Sequence, residues 1–116
     1  MSKRKSEILE GINLDDIESS KFVGNNTLCL EYKDGTVAYR LHNTNVVTIK
    51  KNGDVILNTG GWWSATTKER INKYIPIDQS IAQRDFVWYI NGEQYYDGIS
   101  FNKDGDKIED IKEYGW

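Results

Sequence analysis

The segment Gly60-Gly61-Trp62-Trp63-Ser64-Ala65-Thr66-Thr67-Lys68-Glu69-Arg70 gathers more chemically useful groups than any other stretch of the chain. Two glycines lead into a short helical pattern. Amides at a helix start, the Thr66 and Thr67 hydroxyls and the Lys68 and Arg70 charges are groups that hold an anion, because unpaired N–H groups and the positive end of the helix dipole point the same way. Asn72 and His42 are further polar residues on which a phosphate or small-nucleotide site could draw. The spacing lacks the Gly-Lys-Ser/Thr ending of a Walker A loop, which argues against a nucleoside triphosphatase. A tight turn followed by an ordinary capped helix accounts for the same residues and is the preferred reading.

The aromatic set Trp62, Trp63, Trp88, Tyr89, Tyr95 and Tyr96 offers a different chemistry, stacking or anchoring. Adjacent residues of a strand point to opposite faces, so one member of each neighbouring pair is expected outside a one-sided core. Exposed Trp and Tyr are enriched among the residues that dominate binding energy. Trp62, Trp63, Trp88 and Trp116 are therefore the candidate partner-binding residues. The alternative is a two-sided core that consumes them all.

Other constellations are weaker. His42, the single histidine, ends a predicted strand without the nucleophile or orienting carboxylate that a general base requires, and no catalytic residue is assigned. An enzyme using His42 with Arg70 and Asn72 is the last of the readings. Asn102-Lys103-Asp104-Gly105-Asp106 superficially suggests a calcium loop, yet placing Gly105 sixth puts Ser100 first and Ile111 twelfth, so both key carboxylates are missing. A hairpin turn explains it better. Asp15-Asp16 and Glu109-Asp110 read as solvated terminal charge, and the lone Cys29 supports neither a disulfide framework nor a cysteine zinc site. No metal or cofactor is expected.

These residues must be positioned by a chain of 116 residues, enough for one core, with 28% charged and 38% hydrophobic residues and a net charge of −3. That balance gives no global attraction to nucleic acid. Ile8-Leu9 is interrupted at once by Glu10 and Gly11, so no signal-peptide core and no membrane span is expected. From Phe22 onward, extended segments alternate with Asp34-Gly35, Asn52-Gly53, Asn91-Gly92 and Asp104-Gly105, dipeptides suited to two-residue type I′ turns. They predict hairpins pairing 27–32 with 36–42, 46–50 with 54–59, and 86–90 with 93–97, with Asn43-Thr44-Asn45 as a further turn and 99–102 as a continuation.

The fold expected is mostly β (α+β), an antiparallel meander of about six to seven strands. One short capped helix over about 66–75 packs on the sheet. Thr66 and Glu69 have capping-box spacing; Ile71, Tyr74 and Ile75 form its apolar stripe, and Pro76 disfavours continuation. Residues 1–20 form a terminal segment in which Ile8, Leu9, Ile12, Leu14 and Ile17 suggest a short helix, against which Gly11 and the Asp pair argue. Residues 21–103 form the β domain, and 104–116 a tail with a short docked helix.

The order Leu41-His42-x-Thr44-x-Val46-Val47, Leu57-Asn58-Thr59-Gly60-Gly61-Trp62, Thr66-Thr67-Lys68-x-Arg70-Ile71-Asn72, Val87-Trp88-Tyr89 and Tyr96-Asp97-Gly98 resembles a family of small uncharacterised proteins encoded by bacteriophages and prophages. The resemblance spans about 22–101 and carries over no catalytic residue. It implies a mobile-element origin and expression in the bacterial host cytoplasm. Small phage proteins without enzyme motifs often inhibit host machinery, including CRISPR and other defence systems. The leading expectation is thus a non-enzymatic inhibitor that binds a host protein, with homo-oligomerisation left open. The alternative is a binder of a small nucleotide or single-stranded nucleic acid through 60–70.

Overall fold

The computed structural model describes residues 4–108, so Trp116 and the expected tail helix lie outside the described residues. Strands β1 (Ile17–Gly24), β2 (Thr27–Tyr32), β3 (Val37–Leu41), β4 (Thr44–Ile49) and β5 (Val55–Leu57) follow α1 (Lys5–Ile8) and a 3₁₀ turn over Leu14–Asp16. Helix α2 (Ala65–Tyr74) comes next, then β6 (Ala82–Arg84), β7 (Val87–Ile90), β8 (Glu93–Gln94) and β9 (Ser100–Phe101). The first five strands form an antiparallel meander, β9 returns to pair with β5, and β6-β7-β8 make a separate three-stranded sheet. The mostly β, antiparallel architecture is as the hairpin pattern predicts, with a single longer helix and nine strands rather than six or seven among the described residues. Among the extra strands are β1, whose Glu, Ser and Lys residues hide it from a hydrophobic pattern, and the fully exposed β6.

The turns explain the registers. Asn91-Gly92 has φ of 55° and 77° and makes the expected two-residue connection. Gly35, Gly53 and Gly105 instead stand third in three-residue loops, each donating its N–H back to Tyr32, Lys50 or Asn102. Here the preceding Asp or Asn does not take positive φ; Asp34, Asn52 and Asn102 accept backbone N–H groups with their side chains. The turn placed at Asn43-Thr44-Asn45 lies one step earlier. His42, at φ 56°, and Asn43 form it, and Thr44 already pairs with Leu41.

Alternation divides the large sheet into two apolar faces. Cys29, Tyr39, Val47 and Leu57 stand in cross-strand line on one face. Helix α2 crosses that face, burying Ile71 and stacking Tyr74 on Tyr39 at 4.4 Å, and the small sheet adds Trp88 and Ile90 to the same core. The helix stops at Ile75, whose extended ψ of 126° leads into Pro76.

On the opposite face, Leu28, Leu30 and Ala38 are covered by Ile8 of the N-terminal segment. Arg40 fixes that cover. Arg40 is 8% exposed, and its guanidinium donates to the carbonyls of Ile8 and Glu10 and to Asn45 Oδ1, at 2.7, 3.2 and 3.0 Å. Burial lowers its pKa from the ordinary value. Replacing Arg40 with Met is expected to cost about 2 kcal/mol in urea unfolding, since charge-assisted bonds are lost and two carbonyls are left behind. Hydrogen exchange should accelerate at Leu9 and Ile12 before it does in β2; uniform acceleration would contradict this clip.

Candidate functional site

Between β5 and α2 the chain must cross from the large sheet to the helix, and it does so through Asn58 to Ser64. Asp97 holds this crossing. Its two carboxylate oxygens accept the Thr59 N–H and the Thr59 hydroxyl, both at 2.8 Å, and one of them also accepts the Tyr95 hydroxyl at 2.8 Å. Thr59, 1% exposed, then accepts the Gly61 N–H on its Oγ1, and Asn58 accepts the Gly60 N–H. At Gly60, with φ 64°, a Cβ would collide with the Thr44 side chain, so the second glycine requirement is steric as well as conformational.

The anchored loop presents two tryptophans. Trp62 is 63% and Trp63 52% exposed. Trp63 rests against Trp88 at 5.0 Å and edge-on against Tyr95 at 5.4 Å, and these two rings lie 5.7 Å apart. Trp88 is buried and serves as the platform under Trp63 rather than as open surface. Tyr95 is buried too, and burial, followed by its bond to Asp97, pushes its pKa well above the ordinary tyrosine value. The Trp63 indole is thus oriented by packed rings on a loop held by a carboxylate, with Trp62 next to it in the chain.

Ser64 caps α2, accepting the Thr67 N–H at 3.2 Å; the capping box expected from Thr66 and Glu69 is replaced by this cap two residues earlier. Thr67 is buried, with its hydroxyl bonded to Ser64. Thr66 is exposed, and Lys68 donates to Gln83 at 2.8 Å. Arg70 pairs with Glu69 and donates to Thr27 Oγ1 at 3.0 Å. Asn72 clamps the backbone of Ile81 with both ends of its amide. His42 sits in the β3–β4 turn, its N–H donated to Asn26. The six polar candidates are therefore distributed along the helix and a turn, and Thr67, Lys68, Arg70 and Asn72 each hold internal partners.

Phe86, assigned by pattern to the start of a strand, lies outside it. It forms a two-residue turn with Asp85, and β7 begins at Val87. At 94% it is the most exposed of the large apolar side chains described. The only local signal was Asp85, a residue tolerant of left-handed backbone. Tyr89 and Tyr96 are half-buried, beneath Arg84 and Lys107 respectively. Among the described residues no group of His, Cys, Asp and Glu side chains could hold a metal ion, and no helix is long and apolar enough to cross a membrane.

Fold and site together define a small antiparallel β protein built to hold an aromatic surface in place. The family model for the Kyanoviridae Gp96 protein matches residues 1–109, and the chain belongs to this phage protein family. No curated protein and no solved structure matches the chain. The match bears out the phage origin that the motifs suggested.

Two expectations follow from the anchor. Asp97→Ala should lower stability by about 2 kcal/mol by orphaning Thr59 and Tyr95, and should shift the Trp63 and Trp88 indole resonances together. Unchanged indole resonances would show that the rings pack without it. Because the folded pKa of Tyr95 is raised above 10.0, its contribution is fully present below that pH and is lost as pH rises further. Above pH ~10, native stability should therefore fall more steeply than that of Tyr95→Phe, by up to about 1.4 kcal/mol per pH unit. Equal slopes would contradict the raised pKa.

Proposed function

We propose that this phage protein is a non-enzymatic binding protein that acts in the bacterial host cytoplasm by docking on a host protein and inhibiting it, a CRISPR or other defence component being the class of target. The observation that carries the reading is the Trp62–Trp63 surface, exposed on a loop that Asp97 and Thr59 anchor, with the Trp63 ring packed on the Trp88 platform. A monomer has no use of its own for two indoles in water. Covering them would remove on the order of 250 Å² of apolar surface, about 6 kcal/mol at ~25 cal/mol per Å² before association entropy is subtracted. Preorganisation lowers that entropy cost, because the packed Trp63 ring needs no ordering on contact.

Binding of a small nucleotide or single-stranded nucleic acid through Gly60–Arg70 has less support. Its proposed phosphate ligands Thr67, Lys68 and Arg70 already hold internal hydrogen bonds. Affinity capture from host extract tests both readings. The expected result is a stoichiometric host protein whose affinity falls at least ~10-fold for the Trp62→Ala/Trp63→Ala variant, matching a loss of about 1.4 kcal/mol or more. A co-purifying nucleotide lost in Arg70→Ala would overturn it.

A further inference from the structure

A two-residue hairpin closed by a type I′ turn has positive φ at both loop residues, and the second is ordinarily glycine. The β7–β8 hairpin follows that rule with Asn91-Gly92. The β6–β7 hairpin does not: Asp85 and Phe86 adopt φ 53° and 68°. A bulky side chain in the left-handed region is strained, since its Cβ crowds the following carbonyl. The strain is not repaid within the fold, because the Phe86 ring is 94% exposed. The residue thus opposes folding through its backbone while its ring contributes nothing by burial, and glycine would remove the backbone cost.

The turn is joined through β7 to the platform beneath the tryptophan surface. Two residues beyond Phe86, Trp88 carries Trp63, and on the other strand of the hairpin Gln83 accepts Lys68 of α2. Arg84, just before the turn, lies over the Tyr89 ring at 5.4 Å, so the base of the hairpin is braced while its tip projects. Strain held at such a position is characteristic of sites where geometry serves a ligand.

We infer that Phe86 is a docking anchor, a convex plug that inserts into an apolar cleft on a folded protein; this rests on the reading of the Trp62–Trp63 surface as protein-binding. Charge favours a protein over the other candidates. Arg84 and Asp85 adjoin the ring, and Lys68 and Glu69 lie on the neighbouring helix, so charges of both signs surround the turn. Uniformly anionic nucleic-acid phosphates or lipid headgroups match such a mixture poorly, whereas a protein cleft with a mixed polar rim can match Asp85 and Arg84 alike.

The test uses the full chain with Phe86→Gly and Phe86→Ala. Glycine relieves the backbone strain and should raise the melting temperature by roughly 4–8 °C; alanine keeps the left-handed conformation and should gain less. Against the host protein captured by the native chain and then purified, both variants should bind at least ~10-fold more weakly. A photoreactive benzoylphenylalanine at position 86 should crosslink to apolar residues of a cleft. A lowered or unchanged melting temperature for Phe86→Gly would overturn the strain argument. Full binding by both variants, with loss only in Trp62→Ala/Trp63→Ala, would overturn Phe86 as anchor while leaving the tryptophan surface in place. Failure of the native chain to bind any host protein would overturn both. Phe86-dependent sedimentation with phosphatidylcholine/phosphatidylglycerol vesicles would overturn the protein partner in favour of a membrane.

Discussion

The Asp97 carboxylate is the constraint on which the functional end of the molecule depends. It lies between β8 and β9, where the chain returns from the small sheet to the large one, and it binds the loop that leaves the large sheet for α2. One side chain thus joins the exit and the return of the same excursion. Tyr95 donates to the same carboxylate and packs against Trp63 and Trp88, so hydrogen bonding and aromatic packing act on a common geometry. Polar groups satisfied in this way specify a single arrangement, where an apolar loop of similar burial could slide among several.

The two faces of the large sheet are closed by different means. On one, α2 and the small sheet supply a continuous apolar core through Ile71, Trp88 and Ile90. On the other, a short N-terminal segment contributes Ile8 and is held by Arg40, a buried cation satisfied by carbonyls and an amide rather than by a carboxylate. Converging polar contacts compensate there for a helix too short to be stable alone. The aromatic surface belongs to the better-packed side, as expected of a surface that must keep its shape on binding.

The hairpin pattern was legible because each strand pair carries its own turn chemistry within a few residues. What escaped the sequence depended on distant partners. Asn72 looked available for a ligand, but Ile81 claims it; Arg70 turns to Thr27, forty-three positions away. Trp62, Trp63 and Trp88 looked alike, and only packing separates two exposed indoles from the buried one beneath them. Ser64, not Thr66, caps α2, directly after Trp63 packs on the Trp88 platform. Phe86 was hidden for another reason: an aromatic residue favours strands, and its place in a left-handed turn goes against its own propensity.

The central claim is that the tryptophan surface is rigid before any partner arrives. Its most direct test is ¹⁵N relaxation of the free protein, read at the backbone amides of 59–64 and the Trp63 indole N–H. Order parameters near ~0.85, equal to those of the β2–β3 strands, are the expected result. Values below ~0.6 confined to this loop would mean that Asp97 does not hold the surface, and the preorganised docking face would have to be abandoned.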